Sequence, residues 1–199
     1  MKPRVAILIS GRGSNMEALI KAAQVPDFPA EIALVVSNKP EAAGLEIARG
    51  LGVEALSIPG NVYGKDREAH ERAIDAELSK RGIEFVCLAG YMRLLTPWLV
   101  RRWAGRMLNI HPSLLPKFPG LDTHARALAA GELEHGCTVH LVTEGMDEGP
   151  ILGQARVKVL PDDDESSLAA RVLVQEHLLY PAMLAAIAQK KSSNEADFA

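Results

Sequence analysis

Asn109, His111 and Asp147 are residue types that together perform acyl transfer. Asn109 and His111 fall two apart in Leu108-Asn109-Ile110-His111-Pro112-Ser113-Leu114-Leu115-Pro116-Lys117-Phe118-Pro119-Gly120, so on an extended strand both point to one face. Asp147 stands in Thr143-Glu144-Gly145-Met146-Asp147-Glu148-Gly149-Pro150, a glycine-bearing turn after another apolar run. A carboxylate beside an imidazole favours its charged form, and an amide N–H with an imidazolium can stabilise an oxyanion at a tetrahedral carbon. A neighbouring Asn and His alone also suit a satisfied structural pair. The third group gives the set its chemistry.

A second loop suits an anion. Ser10-Gly11-Arg12-Gly13-Ser14-Asn15 follows an apolar run and opens a helical pattern, so free backbone N–H groups converge at a positive helix terminus, and the glycines let the backbone approach a phosphate. The alternative is a tight turn with Ser14 or Asn15 as N-cap. A dinucleotide fingerprint is not met. Met16 stands at its third glycine, and Ser37-Asn38 ends the second apolar run where an acid would hold the ribose. A phosphoribosyl group fits better than a pyrophosphate.

Other candidates read as structure. His135, Cys137 and His140 have the look of a metal cluster, yet a strand turns Cys137 and His140 to opposite faces, and no metal is expected. Cys87 and Cys137 sit in apolar runs as small buried hydrophobes rather than a disulfide. Trp98 and Trp103 beside Arg101 and Arg102 suit a packed helix with a solvated edge. The acidic run Asp162-Asp163-Asp164-Glu165 complements a helix N-terminus.

Positioning these groups requires strands and helices in alternation. Short β-branched runs predict strands over 5–9, 32–36, 85–89, 107–110, 138–142 and 155–160, and longer apolar periodicities predict helices over 14–23, 41–50, 65–81, 97–103 and 167–189. Pro181 is expected to kink or split the last helix. The alternation implies βαβ units, a mostly parallel twisted sheet flanked by helices, and one α/β domain over 1–189 with a polar, frayed tail over 190–199. In such a sheet ligands bind beyond the carboxyl ends of the strands, where the Asn109 and Gly13 loops fall.

Composition agrees with an ordinary globular protein: 48% hydrophobic and 24% charged, with net charge −3. No basic field collects nucleic acid or an anionic membrane. After Met1-Lys2-Pro3-Arg4 the apolar stretch Val5-Ala6-Ile7-Leu8-Ile9 is too short for a signal-peptide core or a membrane span, and a cytoplasmic location is expected.

Ser10-Gly11-Arg12-Gly13-Ser14-Asn15, Leu88-Ala89-Gly90-Tyr91-Met92-Arg93, Asn109-Ile110-His111-Pro112-Ser113-Leu114-Leu115-Pro116 and Gln175-Glu176-His177 together resemble the folate-dependent formyltransferases, and among them the phosphoribosylglycinamide formyltransferases. The likeness runs in order from about Val5 to Pro181. It implies a Rossmann-like formyltransferase fold of about seven strands. It also implies transfer of a formyl group from 10-formyltetrahydrofolate, as co-substrate, to the amine of glycinamide ribonucleotide in purine biosynthesis. No permanently bound cofactor is implied. Asn109, His111 and Asp147 would be catalytic; Gly13, Ser14, Asn15 and Glu176 would hold the ribonucleotide. Arg67, Met92, Arg93, Leu94, Leu95 and Asn109 would meet the folate. Its pterin would enter a cleft lined by Leu88, Leu95, Leu99, Val100 and Met107 and be read by main-chain groups of the 143–147 loop. Leu173 departs from the pattern, standing where some relatives place a polar group near the ribose.

The partners implied are small molecules, without nucleic acid or membrane, for a monomer or homodimer. Two rivals share the catalytic trio: a methionyl-tRNA formyltransferase needs a further RNA-binding domain, and a formyltetrahydrofolate hydrolase a preceding regulatory one. A third reading is a non-catalytic nucleotide-binding module in which only the Gly13 loop functions.

Overall fold

The computed structural model describes residues 1–196, with side chains described through Lys191. Seven strands form a single sheet: β1 (Arg4–Ile9), β2 (Glu31–Ser37), β3 (Ala55–Ser57), β4 (Phe85–Leu88), β5 (Met107–His111), β6 (Glu134–Leu141) and β7 (Ile151–Lys158), in the order β3-β2-β1-β4-β5-β6-β7. The first five run parallel; β6 is antiparallel to β5 and β7 to β6. The helices are α1 (Ser14–Ala23), α2 (Ala43–Gly50), α3 (Arg67–Lys80), α4 (Pro97–Arg102), α5 (Thr123–Ala129) and α6 (Glu165–Ala196), with a 3-10 turn at Gly60–Tyr63.

The layers follow from side-chain alternation. Along β1, Val5, Ile7 and Ile9 pack with Met16, Leu19 and Ile20 of α1, Leu45 and Ala48 of α2, and Leu168, Val172 and Tyr180 of α6. Ala6 and Leu8 turn the other way onto Ile74 and Leu78 of α3, Leu99 of α4, and Trp103. Every residue from Val5 to Ile9 is fully enclosed, as expected of a parallel strand covered on both faces. The Tyr180 hydroxyl lies 3.0 Å from the Leu88 carbonyl and 3.1 Å from that of Leu108, fastening α6 beneath β4 and β5.

The expectations from sequence need correction at several places. Strand β3, a three-residue strand, and helix α5, seven residues long, are both too short to show a period. Strand β6 begins at Glu134 and β7 at Ile151, each four residues before its predicted start. Helix α6 runs unbroken through Pro181. Pro181 and Tyr180 are both buried, so packing holds the helix across the missing N–H. That helix also continues past 189 to Ala196, while 197–199 lie outside the described residues. Finally, neither Ser14 nor Asn15 caps α1: the cap is Gly13, in the left-handed region at φ 70°, with no side-chain cap bond.

Candidate active site

Strand order reverses between β1 and β4, and the loops leaving the parallel strands β1, β4 and β5 open at the same end of the sheet. Within the antiparallel β5–β6 pair, Asn109 stands opposite His140 and His111 opposite Thr138. Opposite residues share a face, so His140, rather than joining His135 and Cys137 at a metal, belongs to this site. Asn109 Nδ2 lies 3.2 Å from His140 Nε2. His140 Nδ1 is 3.0 Å from the Leu141 carbonyl, which only accepts, so Nδ1 carries a proton. In the neutral ring, Nε2 accepts from the Asn109 amide. In the charged ring the same atom donates, and Asn109 must present its oxygen instead.

Asp147 joins the two histidines. Its Oδ2 lies 3.4 Å from His111 Nδ1 and accepts from Gly120 N–H at 2.9 Å, while its Oδ1 is 3.6 Å from His140 Nε2. Burial alone would raise this carboxyl, but the His140 ring beside it, the Gly120 N–H and the nearby His111 outweigh it and hold it below its usual value. His111 is 5% exposed, and its Nε2–H donates to the Phe118 carbonyl at 2.9 Å. Both ring nitrogens of His111 therefore have partners within the protein. Asp147, Phe118 and Asp122 all have φ near +55°, a strained backbone for residues other than glycine that concentrates at functional sites.

The segment after His111 is braced from beneath. Thr138 Oγ1 donates to the Ser113 carbonyl at 2.6 Å and accepts from Leu115 N–H at 3.1 Å and Gln154 Nε2 at 2.9 Å. His135 and His124 meet at 3.1 Å. Burial first, then the neighbouring His124, push the His135 imidazole down to about 4. His135 and His140 are thus engaged in different contacts, and Cys137 faces the α1–α6 layer. Among the described residues no group of three or more His, Cys, Asp or Glu could hold a metal ion. Cys87 and Cys137 are free and buried, and burial pushes both thiols up to about 12.

Gly13, Ser14 and Asn15 lie where the sequence puts them, at the start of α1 beyond β1. A side chain on Gly44 would come within 2.9 Å of the carbonyls of Gly11 and Arg12, so the start of α2 packs directly on the loop. Asn15 Nδ2 donates to Glu176 Oε2 at 2.6 Å, and the Asn15 Oδ1 atom is buried without a partner. Glu176 is 7% exposed, and burial raises its carboxyl against the opposing pull of the Asn15 bond. The structure joins Asn15 and Glu176 across α1 and α6.

Met92, Arg93, Leu94 and Leu95 follow β4, tied to the Gly13 loop because Ser10 Oγ accepts from Met92 N–H at 2.8 Å and donates to Asn38 Oδ1 at 2.5 Å. Arg67 donates to the Leu94 carbonyl at 3.3 Å. Met92 and Leu94 are 70% and 63% exposed, an apolar surface beside polar groups. Of the expected pterin lining, Leu99 and Met107 are enclosed in the core with Trp103, while Leu88 and Val100 keep a 7% edge and Leu95 is half-buried. Leu99 and Met107 therefore support a wall rather than form its free surface. The sequence alone assigned no role in this site to His140, Gly120, Phe118, Thr138 or Gln154. For His140, Thr138 and Gln154 the signal is strand register, which one sequence does not reveal.

Residues 3–184 match the family described as formyl transferase. The phosphoribosylglycinamide formyltransferase of Escherichia coli (strain K12) is 44% identical over 180 residues, covering 90% of this chain and 84% of that protein. The trifunctional purine biosynthetic protein adenosine-3 of Drosophila melanogaster is 47% identical over 186 residues, covering 92% of this chain, and the chain spans 14% of that longer protein. The crystal structure of phosphoribosylglycinamide formyltransferase from Brucella melitensis superposes with a TM-score of 0.91 at 56% identity, covering 94% of this chain and 96% of that one. With match and fold running from β1 into α6, the chain belongs to the formyl transferase family.

Proposed function

We propose that this chain transfers the formyl group of 10-formyltetrahydrofolate to the amine of glycinamide ribonucleotide, a one-carbon step of purine biosynthesis, and that residues 1–189 form its catalytic domain. The observation that carries the reading is the convergence of Asn109, His111, His140 and Asp147 at the end of β5, one strand from the loop after β4 and two from the Gly13 loop. The nucleotide phosphate rests on the backbone of Gly13, Ser14 and Asn15, and Glu176 meets the sugar. The folate lies along Met92, Arg93, Leu94 and Leu95, with Arg67 and Arg93 for its anionic end. The neutral amine attacks the formyl carbon, and the formyl oxygen takes up negative charge. Asn109 Nδ2–H donates to that oxygen. Charged His111 does the same by exchanging the Phe118 carbonyl for it, while Asp147 holds the proton on Nδ1. The proton leaving the attacking nitrogen passes through water beside Asp147 toward folate N10 as the carbon–nitrogen bond breaks.

The protein works in the cytoplasm on small molecules, as a monomer or homodimer. No helix among the described residues is long and apolar enough to cross a membrane. Mixing both substrates with the protein and following tetrahydrofolate by absorbance tests the reaction. Nucleotide binding without tetrahydrofolate formation would leave a binding module instead.

A further inference from the structure

Arg93 is a half-buried guanidinium that makes no hydrogen bond or ion pair among the described residues, an arrangement suited to a ligand carboxylate. Its resting place has a definite shape. A side-chain carbon built on the buried Gly60 would lie 1.9 Å from Arg93 Nη1, 2.8 Å from Cζ and 3.4 Å from Nε, so the guanidinium occupies the space that any other residue at 60 would fill. Gly60 is fixed there by its N–H to the Asn38 carbonyl at 3.0 Å, and Asn38 accepts from Ser10, which in turn accepts from Met92 N–H. Glu71 of α3 is 2% exposed; its Oε1 accepts from Thr96 N–H at 2.8 Å and its Oε2 accepts from the Thr96 hydroxyl. Glu71 thus pins the far end of the 92–96 segment. The Arg93 and Glu71 charges both act on His70 and Tyr91, placing the four groups in one polar neighbourhood.

We propose that Gly60 is a positioning residue for the folate: its missing side chain is the seat of the Arg93 guanidinium, and Glu71 holds the adjoining segment at the height at which that guanidinium meets the folate's anionic end. The inference rests on the folate placement proposed above. It differs from an ordinary packing role because the displaced atoms are the tip of a flexible side chain, so substitution at 60 disturbs the guanidinium more than the fold.

The test is calorimetric titration of tetrahydrofolate into wild type, Gly60→Ala, Arg93→Ala and the double variant, with glycinamide ribonucleotide affinity and Tm measured alongside. Gly60→Ala should weaken tetrahydrofolate binding about tenfold, as loss of a charge-assisted contact does, while leaving nucleotide affinity unchanged. In the Arg93→Ala background it should change nothing, because no guanidinium remains to displace. A drop in Tm in the single variant that the double relieves also supports the seat. A drop that persists in the double overturns it. So does an unchanged tetrahydrofolate affinity, an equal loss with and without Arg93, or a parallel loss for the nucleotide. If wild type does not bind tetrahydrofolate, the folate reading itself fails and the seat with it. If it binds but turns nothing over, only the proposed reaction fails, and the four affinities still decide the role of Gly60.

Discussion

A single carboxylate organises the cluster at the end of β5: Asp147 touches His111, His140 and Gly120 N–H from a backbone held at φ 56°. Replacing it with Asn keeps the shape and removes the charge. Asp147→Asn should therefore lower kcat by roughly 10²–10⁴ with little change in substrate affinity, because the lost interaction matters chiefly as charge develops. His111→Ala should lose a similar factor, and the double variant far less than the product, since the two act as one unit. Single losses that simply multiply in the double would show that the residues do not cooperate. At the other loop, Gly13 has φ +70°, and an added side-chain carbon would lie 3.3 Å from Met16 Cβ. Gly13→Val combined with Ser14→Ala should weaken glycinamide ribonucleotide binding far more than folate binding, and equal losses in calorimetry would sink the phosphate assignment. The trio Asn109, His111 and Asp147 was legible because its residue types and strand-end positions are local properties. His140 was not, since only the pairing of β6 with β5 sets it opposite Asn109.

Between residue and molecule, pairing of β5 with β6 sets the geometry. Thr138, opposite His111 and fully enclosed, holds three partners in the 113–117 segment and β7 with one hydroxyl. Thr138→Val preserves shape but strands the Ser113 carbonyl and the Leu115 N–H, a loss of about 2–3 kcal/mol. Urea unfolding should show it, together with a fall in kcat, because the same segment leads to the Phe118 carbonyl that receives His111. An unchanged midpoint would mean that other contacts hold the segment. The elements with long periods were legible: α1 lies where Met16, Leu19 and Ile20 put it, and β1 and β2 follow their β-branched runs. Strand β3 escaped because Ala55-Leu56-Ser57 becomes a strand only by pairing with β2. Strand β7 was misplaced because Ile151, Gly153 and Gln154 show no clean alternation on an edge strand backed by α6. Pro181 does not split α6, since burial, a property of the assembled fold, overrides its local cost.

At the scale of the molecule, a sheet whose order reverses between β1 and β4 brings to one end a glycine-bearing loop, an exposed apolar segment and an acid–imidazole cluster from distant parts of the chain. The same assembly buries histidines that an unfolded chain leaves in water, and this couples stability to pH. His135 is 1% exposed, touching His124 on α5 and facing the Pro112 carbonyl, with Glu132 and His111 within electrostatic reach. Burial, and then His124, lower it to about 4 from an ordinary 6.5. Between those values the unfolded chain binds a proton that the native protein excludes. Stability therefore falls as pH drops through this window, by at most about 3 kcal/mol from this group. Below about pH 4 the native protein takes up the proton too, and the group contributes no further slope. His124, also lowered by burial, adds loss of the same sign. Asp147, held below its usual value, contributes stability that is lost only at lower pH, as the native carboxylate itself becomes protonated. Urea midpoints measured from pH 7 to 4 should thus decline in wild type, most steeply below 6.5, and decline less in His135→Gln, which keeps a polar group at the site and removes the titration. Equal slopes for the two proteins would show that the acid sensitivity arises elsewhere and that His135 takes up its proton alike in the native and the unfolded chain.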